Sequence, residues 1–300
     1  MKHRIRGSAP GKLMLFGEHA VVYGYPCIVT AVDQRLSVCI EVNNVGELIV
    51  NAPDVGLLNY RKKLTHIGKG YTKESAFVEK ATENFIKKFN IRSGISITSS
   101  SEFRSTFGFG SSSAITVAVL FALSKLFNKK LSKSELFQLS YKTVLEVQKK
   151  GSGFDVASAI YGGTIYYKRF GRIIKSIQGV SDLIVGYTGV KADTVSLISN
   201  VQALHQKNPE IVNSIYKTIT TVVDSAVLAL KRKDLKTIGE LMNINQGLLE
   251  SLGVSTKTLS QMNYAANING FGAKLSGAGG GDCMIAIASS KNKKLGLSDI

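Results

Sequence analysis

A carboxylate and an ammonium group, each next to glycines, are the side chains of this sequence best suited to group transfer. Asp155 ends the run Gly151-Ser152-Gly153-Phe154-Asp155, and Lys12 follows Ala9-Pro10-Gly11. A carboxylate in a tight turn can accept a proton from an attacking hydroxyl or orient it. Lys12 can pair with that carboxylate or with a transferring phosphoryl group. The alternatives are an N-cap role for Asp155, in front of a short helix over residues 156–160, and an ordinary exposed lysine.

A second glycine-rich segment precedes a strongly apolar stretch. Gly108-Phe109-Gly110-Ser111-Ser112-Ser113 leads into residues 112–127, which are apolar almost all round and predict a buried helix. Glycines let the backbone approach a phosphate, and a helix start directs free N–H groups and a positive dipole end at it. Serines there can cap the helix or bind a phosphate-linked Mg²⁺. A plain loop and cap has the same composition, so this segment alone leaves both interpretations open. It matches neither a Walker A loop nor a dinucleotide-binding fingerprint.

A third glycine-rich segment separates two short apolar runs near the end of the chain. Ser276-Gly277-Ala278-Gly279-Gly280-Gly281-Asp282 lies between residues 273–275 and 283–288, which predict strands. It could brace a phosphate-binding loop or form a tight turn between the strands, and both roles can hold together. The first of the three glycine-containing motifs begins with Ala9-Pro10-Gly11-Lys12, which we expect to form a loop. It continues through Gly17-Glu18-His19 and Val22-Tyr23-Gly24.

The elements around these motifs predict an α+β protein of two domains. Phenylalanines and alanine at every fourth position predict a helix over 77–89, and Ser132 with Glu135 forms a capping box for a helix ending near Gln148. Residues 27–42 predict strands with a turn near Asp33. Asn208-Pro209 opens a helix whose apolar stripe comprises residues 211, 215, 219, 222 and 226. A boundary after 171–179 gives domains of residues 1–180 and 181–300.

Composition narrows the functional class. Of the 300 residues, 44% are hydrophobic and 20% charged, which is typical of a globular protein, and no run reaches membrane-spanning length. Neither a signal peptide nor a paired set of cysteines is visible, since Cys27, Cys39 and Cys283 are scattered. We therefore expect a cytoplasmic protein that is not bound to membranes. The net charge of +17 suits an anionic ligand or nucleic acid, but no nucleic-acid-binding module accompanies it.

Taken together, the three motifs closely resemble those of the GHMP kinase superfamily, in order and spacing, over essentially the whole chain. The resemblance implies a two-domain GHMP kinase fold. Its N-terminal domain would be of the ribosomal protein S5 domain 2 type and its C-terminal domain ferredoxin-like, with ATP bound between them. Within the superfamily, residues 9–24 are most similar to the mevalonate kinases. Residues 151–159 and 276–283 are more similar to the phosphomevalonate kinases.

The resemblance also implies roles for individual residues. Lys12 and Asp155 would be catalytic, and Ser112 with Glu146 would hold Mg²⁺. The substrate would contact Glu18 and His19 and, in the segment Thr188-Gly189-Val190-Lys191-Ala192-Asp193-Thr194, Lys191 and Thr194. ATP would bind at Gly108, Phe109, Gly110, Ser111, Ser112 and Ser113, and at Gly277, Ala278 and Gly279.

The activity implied is phosphorylation of the 5-hydroxyl of mevalonate, a step of isoprenoid precursor biosynthesis, with ATP and Mg²⁺. A phosphomevalonate kinase is the nearest alternative, and a nucleic-acid-binding protein of S5-like topology is the alternative from another class. Retention of Lys12 and Asp155 argues against a relative that binds nucleotide without catalysis. The expected partners are mevalonate and ATP rather than nucleic acid, and a homodimer is compatible with the resemblance.

Overall fold

A computed structural model describes residues 4–180 and 183–288 of the protein. Its strands are β1 Ile5–Phe16, β2 Cys27–Asn43, β3 Glu47–Ala52, β4 Leu57–Lys63, β5 Gly94–Ser101, β6 Thr164–Lys168, β7 Ile173–Ile177, β8 Leu183–Tyr187, β9 Gly270–Ser276 and β10 Cys283–Ala288. Its helices are α1 Ala76–Phe89, α2 Ser111–Leu126, α3 Lys133–Gln148, α4 Phe154–Tyr161, α5 Thr194–Lys207, α6 Pro209–Arg232, α7 Leu235–Ser251 and α8 Lys257–Asn269.

The described chain forms two compact units that interleave in sequence. The first contains residues 4–12, 31–105 and 109–162, and the second contains 13–30, 106–108, 163–180 and 183–288. The chain passes from one unit to the other within β1 and again within β2. The domain boundary expected between residues 180 and 181 adjoins residues 181 and 182, which lie outside the described part of the chain. The boundary stays a prediction.

The first unit packs helices α1 to α4 with a sheet of order β4-β3-β5-β2. β3 and β5 are parallel, whereas the other two pairs are antiparallel. Helix α2 is buried on nearly every side, as its uniformly apolar sequence predicts. The capping box at Ser132 and Glu135 is present at the start of α3, which confirms that prediction. Asn84 of α1 donates to the hydroxyl of Thr143 of α3 (3.0 Å), so the two helices are also joined by a polar contact.

The second unit contains a smaller antiparallel sheet of order β8-β10-β9 and helices α5 to α8. In the same unit, residues 27–30 of β2 pair with β6, which pairs with β7. Helix α7 packs along β9, and its amide side chains accept from the backbone N–H groups of that strand. Asn243 accepts from Ala273 (3.0 Å) and Gln246 from Leu275 (2.9 Å). The N–H groups at the edge of β9 are therefore satisfied by side chains rather than by another strand.

Three sequence-based expectations about the elements were wrong. Residues 9–12 lie inside β1 rather than in a loop, and Gly11 serves close packing, because the side chain of Val32 lies 3.0 Å from where its Cβ would be. β2 runs through Asp33 without a turn, since the polar residues there form its exposed part. Arg35 and Glu102 exchange hydrogen bonds (2.8 and 3.0 Å) that keep this part of the strand extended.

The start of α6 is rotated relative to the predicted apolar stripe, whereas Ile219, Val222 and Ala226 are buried as predicted. Ile211 is 64% exposed, and Val212 and Tyr216 are buried instead. Tyr216 stacks on Tyr23 with ring centroids 5.0 Å apart, and this aromatic contact favours the observed rotation.

Strands β3, β4 and β7 and helix α5 were not predicted from the sequence. No helix in the described ranges is both long and apolar enough to cross a membrane.

Helix α7 and strand β9 approach so closely that glycine is required on both. A Cβ on Gly239 would lie 2.4 Å from the carbonyl carbon of Phe271, and one on Gly272 would lie 2.0 Å from the carbonyl oxygen of Gly239. Gly247 is exposed on the same helix, and nothing lies within 4 Å of the position of its Cβ. The two helical glycines therefore differ only in the space available to a side chain.

Gly239→Ala should lower the free energy of unfolding by about 1–3 kcal/mol, because the added methyl must displace backbone. Gly247→Ala should raise the same quantity by roughly 0.5–1 kcal/mol, because alanine loses less backbone entropy in a helix. Urea unfolding of both variants and the parent checks this. Equal effects of the two substitutions would contradict the close contact between α7 and β9.

Candidate functional site

The second glycine-rich segment ends at the N-terminus of α2, within the first unit. Gly110 is the N-cap residue with φ 74°, a left-handed conformation that suits glycine. The carbonyl of Phe109 accepts from the backbone N–H of Lys12 (2.9 Å), which fixes the segment against β1. The ring of Phe109 packs on Phe103 at 5.7 Å and is buried. The side chain of Phe109 therefore forms part of the apolar core of this unit. Helix α2 begins two residues later, at Ser111, and its first N–H groups have no partner within the helix.

Lys12 and Asp155 both lie close to this helix start. A Cβ on Gly110 would be 3.2 Å from Cε of Lys12 and 3.7 Å from Cβ of Asp155. The hydroxyl of Ser113, in the first turn of α2, donates to Oδ2 of Asp155 (2.6 Å). Lys12 is only 8% exposed, and its ammonium lies 5.6 Å from the ring centroid of Phe154. The alternative that Lys12 is an ordinary exposed lysine is therefore wrong.

The turn before Asp155 is held by α3. Asp155 is the second residue of α4, and Gly153 occupies the N-cap position, so the N-cap alternative for Asp155 is also wrong. Tyr141 of α3 donates its hydroxyl to the carbonyl of Gly151 (2.8 Å). Burial, and secondarily the negative charge of Asp155, raises the pKa of Tyr141, so its hydroxyl stays protonated and able to donate.

The two side chains expected to hold Mg²⁺ have different surroundings. Ser112 lies in the first turn of α2, where its hydroxyl accepts from Gln148 (3.2 Å). Glu146 precedes Gln148 by two residues on α3 and therefore lies on another face of that helix. Its carboxylate accepts a hydrogen bond from the side-chain amide of Asn84 of α1 (2.8 Å). No group of three or more acidic, histidine or cysteine side chains that could hold a metal ion occurs in the described ranges. Mg²⁺ bound together with a nucleotide needs only one or two protein oxygen ligands, so the hydroxyl of Ser112 and one carboxylate would be enough to hold it.

In the second unit, Glu18 lies in a fully buried polar cluster. Its Oε1 accepts from the ammonium of Lys274 in β9, and its Oε2 accepts from the amide of Asn245 in α7 (3.1 Å). The same ammonium also donates to the carbonyl of Leu275. Desolvation lowers the pKa of Lys274 more than the charge and hydrogen bond of Glu18 raise it. Both carboxylate oxygens of Glu18 thus have protein partners.

His19 is fixed to the third glycine-rich segment. Its Nε2 lies 2.9 Å from the carbonyl oxygen of Ala278, and because a carbonyl only accepts, Nε2 must carry the proton. Nearby, the backbone N–H and carbonyl of Met14 both bond to the hydroxyl of Ser276 (2.9 and 3.0 Å). The first and third motifs therefore form one hydrogen-bonded structure within the second unit.

The third segment is also packed against the rest of its unit. A Cβ on Gly279 would lie 2.1 Å from the carbonyl oxygen of Val254, so no larger residue fits. Asp282 accepts at Oδ1 from the backbone N–H of Ala192 (2.9 Å) and donates its own N–H to Val190 (2.8 Å). The segment 188–194 is thereby attached to the third segment. Its two expected substrate residues are both exposed: Lys191 and, at the first position of α5, Thr194.

Sequence reasoning gave no role to Lys274 or Asn245 and did not foresee the bond from Ser113 to Asp155. Lys274 did carry a signal, because a lysine between Ala273 and Leu275 in an apolar strand predicts either an exposed edge or a buried ion pair. Asn245 is one of several polar residues on α7, and nothing in its local pattern distinguishes it.

The protonation state of His19 makes a testable contribution to stability. Burial lowers its pKa below the ordinary value of 6.5, outweighing the opposite effects of the bond to Ala278 and the charge of Glu18. The unfolded chain then binds more protons at this residue than the folded chain between the two pKa values. The stabilisation is therefore complete above about pH 6.5 and is lost as the pH falls from there toward the folded-state pKa.

Replacing His19 by Gln keeps an N–H donor for Ala278 and removes the titration. Between about pH 7.5 and about pH 5.5, the parent should lose up to about 1.4 kcal/mol of unfolding free energy per pH unit more than His19→Gln. Urea unfolding at both pH values measures this. Parallel losses in the two proteins would mean that His19 does not titrate in this range.

Comparison with known proteins identifies the family of the chain. The GHMP kinase N-terminal domain model matches residues 76–163, and the GHMP kinase C-terminal model matches residues 226–296. A curated mevalonate kinase from Pyrococcus abyssi is 38% identical over 98% of this chain and 92% of its own length. The crystal structure of Methanococcus jannaschii mevalonate kinase has a TM-score of 0.83 and 32% identity, and covers 98% of this chain and 93% of that one.

A further similar structure is the crystal structure of L. major mevalonate kinase in complex with R-mevalonate. It has a TM-score of 0.81 and 28% identity, and covers 97% of this chain and 89% of that one. The family-model matches and the near-complete coverage together show that the chain is a member of the GHMP kinase family, in the group of its mevalonate kinases.

Proposed function

We propose that this enzyme transfers the γ-phosphoryl group of ATP to the 5-hydroxyl of mevalonate. The observation that carries the proposal is the placement of Lys12 and Asp155 close to Gly110, at the start of α2. A helix start of this kind binds phosphate, and a lysine with a carboxylate beside it suits transfer to a hydroxyl. The relatives named mevalonate kinase support the choice of acceptor.

The reaction is a single in-line displacement. The 5-hydroxyl oxygen of mevalonate attacks the γ-phosphorus, the bond from that phosphorus to the β–γ bridging oxygen breaks, and ADP leaves. Asp155 accepts the hydroxyl proton, and its carboxylate is held in place by the hydroxyl of Ser113. Lys12 stabilises the negative charge that spreads over the transferring group.

The nucleotide phosphates would bind to the backbone N–H groups of residues 108–113, with the α2 dipole adding to their attraction. Ser112 would supply one oxygen ligand for Mg²⁺, and Glu146 would supply a second. When bound, the ion would offset charge on the phosphates. Residues Gly277, Ala278 and Gly279 would complete the nucleotide site.

The acceptor would contact His19, Lys191 and Thr194, with Glu18 nearby. Both carboxylate oxygens of Glu18 already accept hydrogen bonds from the protein. Glu18 would therefore contribute to substrate binding by positioning neighbouring residues. We also propose that the enzyme works in the cytoplasm and that its functional domains are residues 1–180 and 181–300. A homodimer remains part of this proposal, to be tested by sedimentation.

The direct experiment measures ADP release by the purified protein, with mevalonate and 5-phosphomevalonate offered in parallel and the products identified by mass. We expect turnover with mevalonate only. Turnover with 5-phosphomevalonate only would replace this proposal by the phosphomevalonate kinase alternative. Absence of turnover with either, together with salt-sensitive binding to nucleic acid, would favour the nucleic-acid-binding alternative.

Asp155→Asn should lower kcat by about 10²–10⁴-fold, because the amide cannot accept the hydroxyl proton. The KM for ATP should change little, since the helix start and its N–H groups remain. Asp234→Asn is the matched control, because Asp234 caps α7 and asparagine caps helices equally well. Unchanged turnover in a folded Asp155→Asn enzyme would remove this residue from the mechanism.

A further inference from the structure

The end of β1 and the turn that follows it are attached to a distant part of the chain by hydrogen bonds of three residues, Met14, Glu18 and His19. Glu18 bonds to Lys274 and Asn245, His19 bonds to the carbonyl of Ala278, and Met14 bonds through its backbone to Ser276. The partners are separated by 227–262 residues in sequence. All of them belong to the second unit, so the turn is positioned by β9, α7 and the third glycine-rich segment.

The chemistry of this cluster is that of a buried ion pair with its hydrogen bonds satisfied. Lys274 and Asn245 are fully buried, and Glu18 is nearly so. Removing two charges from water is costly, and the cost is recovered only where the geometry is good and further hydrogen bonds are made. Here the ammonium also bonds to Leu275, and the second carboxylate oxygen bonds to Asn245.

The orientation of Asn245 also depends on Glu18. Its amide nitrogen donates to the carboxylate, whereas its carbonyl oxygen is buried and has no hydrogen-bond partner in the described part of the chain. A buried oxygen without a hydrogen bond carries a desolvation cost. The hydrogen bond from the amide nitrogen to the charged carboxylate of Glu18 offsets this cost. The cluster therefore holds one geometry of the Glu18 carboxylate rather than several.

We propose that Lys274 and Asn245 are positioning residues for the mevalonate pocket, which hold Glu18 so that His19 stays against Ala278. This inference rests on the proposed function, in which His19 contacts the acceptor. Neither residue touches substrate. They act by fixing the backbone between Gly17 and Ala20, and a small displacement of a substrate-contacting group can have a large effect on binding and turnover.

The test compares two substitutions on one helix. Asn245→Leu removes the bond to Glu18, and Gln246→Leu removes bonds to Leu275, Glu250 and Ser255 but none to Glu18, Lys274 or Asn245 themselves. Both replace a buried amide by an apolar group of similar size. If the cluster only stabilised the fold, both variants would affect activity in proportion to their loss of stability.

We expect Asn245→Leu to raise the KM for mevalonate by about threefold to tenfold, with the KM for ATP within about twofold of the parent. Gln246→Leu should leave both KM values near those of the parent, even where its melting temperature falls further. Lys274→Met should raise the KM for mevalonate more than Asn245→Leu does. If Lys274→Met does not fold, the Asn245 and Gln246 variants decide.

A second readout does not depend on activity. The Nε2–H of His19 should give a slowly exchanging imidazole ¹⁵N–¹H signal, assigned through its loss in His19→Gln. That signal should weaken or shift in Asn245→Leu and stay unchanged in Gln246→Leu. An unchanged signal and unchanged KM values in Asn245→Leu would overturn the inference, as would equal increases in the KM for mevalonate in both variants.

The two proposals can fail separately. A parent enzyme without turnover on mevalonate would refute the proposed function, and the positioning inference would then be decided by the imidazole signal alone. Normal turnover by the parent, with the imidazole signal unaffected by either substitution, would leave the function intact and refute the positioning role.

Discussion

The buried contact between Glu18 and Lys274 is the constraint on which the arrangement of the second unit depends. Two charges without water tolerate little variation in geometry, because each lost hydrogen bond leaves a charge uncompensated. The lysine comes from β9, and Asn245, the other partner of the carboxylate, comes from α7. The close contact between α7 and β9 at Gly239 and Gly272 thus has a consequence beyond packing, since it brings both partners to one carboxylate.

The first unit positions Lys12 and Asp155, the residues proposed to be catalytic, in a different way. Gly110 starts α2, Ser113 follows within the same turn, and Asp155 accepts the hydrogen bond of Ser113 from the start of α4. These contacts join the beginnings of two helices, and Tyr141 of α3 supports the second of them through Gly151. The hydrogen bonds described for this carboxylate, and the contact of Lys12 with the ring of Phe154, lie within the first unit.

The parts of this structure that the sequence predicts well are those set by neighbouring residues. The capping box at Ser132, the buried helix α2 and the strands on either side of the third glycine-rich segment were each visible as local patterns. The pair of Glu18 and Lys274 could not be located, because 256 residues separate its members and no periodicity relates them. Similarly, the rotation of α6 is set by Tyr23 stacking on Tyr216, a contact between distant segments.

Glycine-rich segments of similar composition have different physical reasons for their glycines. Gly110 is required by its positive φ at a helix start, where a phosphate group would approach. Gly279 is required because the carbonyl of Val254 occupies the space of a side chain. A sequence contains the glycine in both cases but not the atom that excludes a side chain. The motif resemblance therefore identified the family, whereas only the structure separates the glycine that exposes a helix start from the glycine that permits close packing.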